Sequence, residues 1–189
     1  FEQFLGTTFR GELGQYFTPR TIVDFMTHIL DPNESETVCD PTCGSGGFLI
    51  KAFEYMSEKI EDDVKTAKAE LRSVIEGDNY DSLSEKEQLA INERIEAMQS
   101  TLNQELDTQT EGSRMYNLSR NCIYGTDANP RMARTSKMNM IMHGDGHGGV
   151  HHHDGLLNVN GIFEERFDVI LTNPPFGARI DKSQKITEA

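Results

Sequence analysis

The residues with the clearest chemical potential are Asn173, Pro174, Pro175 and Phe176, which follow the apolar run 168–172. An asparagine side chain can accept a hydrogen bond from an amino group. A proline fixes its own φ and removes a backbone donor, so neighbouring carbonyls are presented rigidly. The Phe176 ring offers a face on which a flat base can stack. The stretch indicates a site for a planar substrate with an exocyclic amino group, although an ordinary turn after a strand would use the same residues.

Short apolar segments and longer helical patterns alternate along the chain. The predicted strands cover residues 37–39, 122–125, 150–152 and 167–172. Apolar residues at helical spacing occupy 22–30, 48–60 and 130–141. This alternation predicts a doubly wound, mainly parallel α/β sheet with helices on both faces. We expect the sheet to be truncated after its fourth strand.

Two helix starts have a local signature. Thr18-Pro19 and Asn129-Pro130 each combine a capping side chain with a proline suited to the first helical position. Asp31-Pro32 is expected to end the first of these helices, because proline cannot continue the helical hydrogen-bond pattern.

A polar residue follows each predicted strand: Asp40, Asp127, Asp154 and Asn173. Open α/β sheets bind ligands at the carboxyl ends of their strands. Four polar groups at successive strand ends are therefore a more specific signal than any one of them, since a single residue of this type is more often a helix cap or a turn residue.

The loop 40–47 is rich in glycine, which allows a ligand to approach the backbone closely. Leu49 stands where a dinucleotide fingerprint would need its third glycine, and the loop lacks the Gly-Lys-Ser/Thr ending of a P-loop. A phosphate cradle is therefore disfavoured. Asp40 suits a ligand with a positive amino group, and Asp127 suits two ribose hydroxyls.

Residues 58–112 differ from the rest in charge, with 15 acidic and 6 basic side chains. Helical spacing on both sides of residues 77–79, with a capping box from Ser84 to Glu87, predicts an inserted helical hairpin. We call this segment the acidic hairpin and expect a solvated surface element. The chain then divides into 1–57, with the N-terminal helix and the first strand–helix unit, 58–112, and 113–189, with the remaining α/β units.

The whole chain has 189 residues and a formal net charge of −13, which is the wrong sign for a protein that binds DNA mainly through its own surface. No apolar run approaches the length of a membrane span. The three cysteines indicate a reducing compartment, so a cytoplasmic location is expected. Because Phe1 opens neither a signal peptide nor a native start, we expect a fragment.

The sequence disfavours two other kinds of chemistry. The histidines at 143, 147 and 151–153, with Asp145, could form a metal site, but glycines between them prevent a shared helical face, so no metal is predicted. Cys39 and Cys43 have no base placed beside them, so they are interpreted as structural rather than nucleophilic.

Taken together, the motifs resemble the modification (methyltransferase) subunit of type I restriction–modification systems, the N6-adenine DNA methyltransferases. The resemblance covers most of the chain outside the acidic hairpin, and the matching pieces occur in the family's order. They are Gly14-Gln15-Tyr16-Phe17-Thr18-Pro19, residues 40–48, residues 124–130, residues 138–144 and Asn173-Pro174-Pro175-Phe176.

The resemblance implies a Rossmann-like fold with S-adenosyl-L-methionine as methyl donor. It places Tyr16, Thr18 and Pro19 as a gate over the methionine part, Asp127 on the ribose hydroxyls and Asp154 on the cofactor adenine. The amino end of the cofactor would be held by Asp40 and by the turn residues Thr42, Gly44, Ser45 and Gly46. Asn173, the Pro174 carbonyl, Pro175 and Phe176 would grip a target adenine flipped out of the duplex.

The implied reaction is a direct methyl transfer to the adenine amino group, with no covalent enzyme intermediate. The implied partners are double-stranded DNA, a DNA-specificity subunit and a second modification subunit. Whether a restriction subunit joins them is left open.

Three alternatives remain at this point. The acceptor could be a protein glutamine or an RNA base, since those methyltransferases also use Asn-Pro-Pro-aromatic; the Gly14–Pro19 segment argues against them. The chain could be a cofactor-binding fragment without catalysis, and we expect it to be at most partly competent alone. The residues also do not separate adenine from cytosine as the target.

Overall fold

A computed structural model describes residues 17–77, 79–146, 149–157 and 166–175. Within these residues the chain forms four parallel strands and five α-helices, in the following order. The elements are α1 (Arg20–Leu30), β1 (Val38–Asp40), α2 (Gly47–Glu76), a 3-10 turn (Tyr80–Ser82), α3 (Glu85–Gln104), α4 (Arg114–Asn117), a π-helical turn (Leu118–Cys122), β2 (Ile123–Asp127), α5 (Pro130–Met142), β3 (Val150–His152) and β4 (Val169–Ile170).

The strands lie in the order β3-β2-β1-β4, with β1 at the centre. Val38 of β1 is level with Ile123 of β2 on one side and with Val169 of β4 on the other. The chain therefore builds outward from β1 to β3 and then crosses to the opposite side for β4. In such sheets the ligand crevice lies where the direction of building changes, here between β1 and β4. The predicted parallel α/β sheet is confirmed.

The hydrophobic core covers one face of the sheet. Val38, Ile123 and Val169 point to this face and join a cluster with Leu49 of α2 and Met140 of α5. Side chains alternate along a strand, so Cys39, Tyr124 and Ile170 point the other way. On that second face Tyr124 packs against Phe167, with 5.4 Å between ring centroids, and Ile170 is 59% exposed. Among the described residues, the predicted helices are thus found on one face.

The helix α2 is longer than the sequence patterns predicted. It runs without a break from Gly47 to Glu76, so the proposed division after residue 57 falls inside it. The first arm of the acidic hairpin is therefore the distal part of the helix that begins at the glycine-rich loop. The second arm, α3, begins with the predicted capping box, in which the Ser84 side chain accepts from the Glu87 N–H and the Glu87 carboxylate accepts from the Ser84 N–H.

The start of α1 differs from the prediction in position. Pro19, rather than Thr18, is the capping residue, and no side chain caps the helix. The Thr18 hydroxyl is engaged elsewhere, because it accepts a hydrogen bond from Asn173. The predicted end at Asp31 is confirmed, since Asp31 adopts a left-handed φ of 47° and donates its N–H to the Thr27 carbonyl.

The start of α5 agrees with the prediction. Asn129 Oδ1 accepts from the Arg131 N–H at 2.9 Å, and Pro130 occupies the first helical position. In the described part of the chain, no helix is both long enough and apolar enough to cross a membrane.

Candidate active site

The polar residues predicted at the strand ends lie along one edge of the sheet. Asp40 is the last residue of β1 and Asp127 is the last residue of β2, while Asp154 and Asn173 come shortly after β3 and β4. Because all four strands are parallel, these positions share the carboxyl edge. The neighbouring pairs β1–β2 and β1–β4 place Asp127 on one side of Asp40 and Asn173 on the other.

Asp127 is held in place by backbone donors. Its Oδ2 accepts from the Gly44 N–H at 2.9 Å, and its Oδ1 accepts from the Asn129 N–H at 2.8 Å. An ionised carboxylate has about four lone-pair sites, so these two bonds fix its orientation and leave capacity for further donors. The half-buried carboxylate is thus a preoriented acceptor at the end of β2.

Asp40 is more deeply buried, with 2% of its surface exposed. Its Oδ1 accepts from the Thr42 N–H at 3.0 Å, and its side chain also bonds Thr172. Burial raises the pKa of Asp40 to about 6, against the opposing effect of these two donors, and the nearby charge of Asp127 adds to the rise. A bound cationic group would therefore find a carboxyl that ionises near neutral pH.

The loop between β1 and α2 is fastened to its surroundings at several points. The Cys43 N–H donates to the Thr126 carbonyl at 2.8 Å, and the Thr126 hydroxyl donates to the Pro41 carbonyl at 2.8 Å. The Ser45 carbonyl accepts from the Asn139 side chain at 2.9 Å. These hydrogen bonds hold the glycine-rich loop in a fixed position at the carboxyl edge of the sheet.

Glycine is required at position 46 for two reasons. Its φ is +90°, a left-handed value that other residues rarely adopt, and a Cβ there would lie 2.6 Å from the buried Ser136 hydroxyl. The tight contact brings the start of α2 against α5.

Asn173 faces the N-terminal segment. Its Nδ2 donates to the Thr18 hydroxyl at 3.1 Å, and both side chains are partly buried. The preceding residue, Thr172, has its hydroxyl 2.8 Å from the Thr42 hydroxyl. The end of β4 is thereby tied to the glycine-rich loop on one side and to the start of α1 on the other. Pro174 and Pro175 are exposed.

Asp154 forms a turn of its own after β3. Its Oδ1 accepts from the Leu156 N–H at 3.2 Å, and its carbonyl accepts from the Leu157 N–H at 3.2 Å. It is half-buried, and β2 separates its strand from β1. Asp154 therefore lies at the carboxyl end of the outermost strand, away from Asp40.

Some of the predicted site residues are therefore in direct contact with one another, and others are not. Contacts join Asp40 with Thr42, Gly44 with Asp127, and Thr18 with Asn173. Tyr16 and Phe176 lie outside the described residues. Sequence reasoning missed Thr126 and Thr172, whose hydroxyls connect strand ends; their positions directly before Asp127 and Asn173 were the available signal.

Cys39 and Cys43 are buried, and two histidines contact oxygen atoms of nearby residues. Burial raises the pKa of Cys39 and of Cys43 to about 12, so both thiols stay protonated at neutral pH. His143 contacts Glu54 at 2.8 Å, and His152 Nε2 lies 3.0 Å from the Ala128 carbonyl. Within the described residues, which exclude His147, no group of three or more metal-ligating side chains converges.

A parallel sheet with this strand order and polar residues along its carboxyl edge defines a Rossmann-like α/β protein. The model of the family described as N-6 DNA Methylase matches residues 1–86 and 95–189, and the chain belongs to this family.

Named relatives agree with this assignment. The chain is 29% identical over 168 residues to the type I restriction enzyme EcoEI methylase subunit of Escherichia coli, covering 88% of this chain and 24% of that protein. It is 27% identical over 169 residues to the StySPI methylase subunit of Salmonella potsdam, covering 87% of this chain and 24% of that one.

A solved structure shows the same fold. A crystal structure of a type I modification subunit from Vibrio vulnificus YJ016 superposes with a TM-score of 0.54 at 25% identity, covering 96% of this chain and 28% of that one. The chain therefore spans about a quarter of the length of the relatives that it matches.

Proposed function

We propose that this chain forms the cofactor- and base-binding part of a DNA adenine-N6 methyltransferase, the modification subunit of a type I restriction–modification system. The proposal rests mainly on the pairing of β4 with β1, which sets Thr172 and Asn173 beside the loop that begins at Asp40. An amide suited to an amino group thus lies next to carboxylates suited to a nucleoside with a positive amino end. Membership in the N-6 DNA Methylase family supports the same reaction.

The donor set fits S-adenosyl-L-methionine. Asp40, with backbone groups of Thr42, Gly44, Ser45 and Gly46, would hold its amino end, since a buried carboxyl gains from an ammonium partner. The preoriented oxygens of Asp127 would accept from the ribose hydroxyls. When bound, the cofactor supplies a methyl group on a positive sulfur.

Two further contacts with this cofactor follow from the resemblance. Asp154 would contact its adenine from the outer end of the edge. Tyr16, Thr18 and Pro19 would lie over its methionine part.

In the proposed mechanism, Asn173 Oδ1 and the Pro174 carbonyl each accept a hydrogen bond from the target amino group. The nitrogen lone pair of an aromatic amine is delocalised into the ring and attacks poorly. Two acceptors favour a pyramidal nitrogen and stabilise the positive charge that develops there. Phe176 would stack on the flipped base, and Pro175 would keep the segment rigid.

The proposed partners are double-stranded DNA, a DNA-specificity subunit and a second modification subunit. The net charge of −13 supports a division of labour in which another subunit supplies most of the sequence readout. We expect methyl transfer by this chain alone to be much slower than transfer by an assembled enzyme.

Calorimetric titration with S-adenosylhomocysteine tests the cofactor site. We expect binding with a Kd on the order of micromolar, weakened about 30-fold in folded Asp127→Ala. Asp81→Asn is the matched control, since Asp81 is exposed between the hairpin arms and should leave the affinity unchanged. A well-folded chain that ignores the ligand would contradict the proposed cofactor.

Nucleoside mass spectrometry after incubation with S-adenosylmethionine and duplex DNA tests the acceptor. N6-methyl-2′-deoxyadenosine in the digest is the expected product, from the chain supplemented with its proposed DNA-specificity subunit. N4-methyl-2′-deoxycytidine in the digest would replace adenine as the proposed acceptor. Methylation of RNA or of a glutamine-containing peptide, offered in parallel reactions, would replace DNA while leaving the cofactor site intact.

A further inference from the structure

The side-chain amide of Asn173 has a partner that the proposed reaction does not itself require. Its Nδ2 donates to the Thr18 hydroxyl at 3.1 Å, although the two residues are 155 positions apart. This contact joins the end of β4 to the segment that leads into α1.

The orientation of this amide decides what it can do. A side-chain amide has an accepting oxygen on one side and a donating NH₂ group on the other, and rotation by about 180° exchanges them. If the NH₂ group faced a substrate amine, two donors would meet and neither would be satisfied. A partner that occupies Nδ2 therefore presents Oδ1 as the group that a substrate amine can reach.

Both ends of the contact are anchored. Thr18 precedes Pro19, and α1 is docked through the buried residues Val23 and Thr27 and by the Lys51–Asp24 ion pair at 3.1 Å. On the other side, the Leu171 N–H donates to the Cys39 carbonyl at 3.0 Å. The hydroxyl of Thr172 also reaches Thr42. A contact between two anchored elements can hold a side chain in one rotamer.

We propose that Thr18 is a positioning residue that orients the Asn173 amide, so that Oδ1 faces the substrate amino group. This inference rests on the proposed function. The Thr18 hydroxyl then acts on the methyl acceptor through Asn173, while the Thr18 methyl group, which valine keeps, can still lie over the methionine part of the cofactor.

The test compares Thr18→Val with Thr18→Ser and with Thr21→Val. Valine keeps the shape of threonine and removes the hydroxyl, while serine keeps the hydroxyl. Thr21 is exposed in the first turn of α1 and provides the same substitution away from Asn173. Thr18→Ala provides a second hydroxyl deletion should Thr18→Val disturb the circular dichroism spectrum.

The first readout is the side-chain NH₂ signal of Asn173 in ¹⁵N–¹H spectra, assigned by its loss in Asn173→Asp. Thr18→Val should shift this signal and speed its exchange with water about tenfold, as expected for a lost hydrogen bond. Thr18→Ser and Thr21→Val should leave it as in the wild type. An unchanged Asn173 signal in Thr18→Val would overturn the proposal.

The second readout is the Kd for S-adenosylhomocysteine. A change of less than about twofold in Thr18→Val is expected, because the hydroxyl is engaged with Asn173. A loss of about tenfold or more with an unmoved Asn173 signal would assign Thr18 to the cofactor instead. Failure of the wild type to bind this ligand would count against the proposed function alone, since the Asn173 signal is measured without it.

Discussion

The carboxyl edge of the sheet, with Asp40, Asp127, Asp154 and Asn173, holds its charges differently from the acidic hairpin, and we call it the strand-end edge. At the edge, the Asp127 carboxylate is fixed by backbone N–H groups of Gly44 and Asn129. The acidic hairpin has 15 of the 31 acidic residues, and the ion pair of Arg72 with Glu76 along α2 is partly exposed to solvent. Fixed donors preorganise a carboxylate for a ligand, whereas exposed pairs are screened by water and contribute little. The number of charges in a region is therefore a poor guide to its chemistry.

The largest effect that separates the two regions is expected at Asn173. Asn173→Ala removes an acceptor for the amino hydrogens and should lower kcat for DNA methylation roughly 100- to 1000-fold. The affinity for S-adenosylhomocysteine should stay within about twofold of the wild-type value, because the lost side chain faces the target base rather than the cofactor. Radiolabelled methyl transfer and calorimetry measure the two quantities. Equal losses in both would place Asn173 in the cofactor site.

A pH dependence is expected from Asp40. Its pKa is raised to about 6 by burial, so the carboxyl is largely neutral below that value and ionised above it. If the cofactor amino group binds the ionised form, affinity should rise about tenfold from about pH 5 to about pH 7. Calorimetry across this range provides the measurement.

The same ionisation has the opposite sign for the ligand-free chain. Because the pKa is raised in the folded state, the neutral carboxyl contributes stability at low pH that is lost as the pH rises through about 6. Asp40→Asn should flatten both profiles, whereas Asp81→Asn in the connection between α2 and α3 should flatten neither. A wild-type affinity that does not vary with pH would show that Asp40 does not meet a cation.

Ser84→Ala should affect the stability of the acidic hairpin and leave the strand-end edge unchanged. It removes one half of the capping box at the start of α3 and is expected to lower the free energy of unfolding by about 1 kcal/mol. Chemical denaturation measures this change, and cofactor affinity should be unaltered. A loss of affinity would mean that the acidic hairpin and the strand-end edge are coupled.

The smallest effect is expected at Glu96, an exposed residue of α3. Glu96→Gln should change the free energy of unfolding by less than about 0.5 kcal/mol and should leave cofactor binding unchanged. The comparison would fail if removing this single hairpin charge weakened the cofactor site.

Features that depend only on residues close together in the chain could be predicted from the sequence. The Asn129 cap and the Ser84–Glu87 capping box depend on residues within one helical turn, and both are present. The parallel sheet was also predictable, because short apolar runs alternate with helical patterns. The polar strand ends followed from that sheet, since parallel strands end at the same edge.

Features that depend on distant partners could not be predicted in this way. Thr18 has the side chain of a helix cap, yet its hydroxyl bonds Asn173 at the far end of the chain. The position of Thr172 directly before Asn173 indicated a place near the site, but it did not identify Thr42, 130 positions away, as its partner. The unbroken course of α2 was available in principle, since no proline interrupts residues 47–76, but the change in charge suggested a boundary.

The length of α2 has a practical consequence. Its 30 residues extend roughly 45 Å, far more than the three-residue strand β1 that precedes it. The helix starts at the carboxyl edge and returns alongside the sheet, so its distal part projects beyond the opposite edge. The connection between α2 and α3 is therefore far from the proposed active site, so a fluorophore or an affinity tag placed there could report on the proposed assembly without disturbing that site.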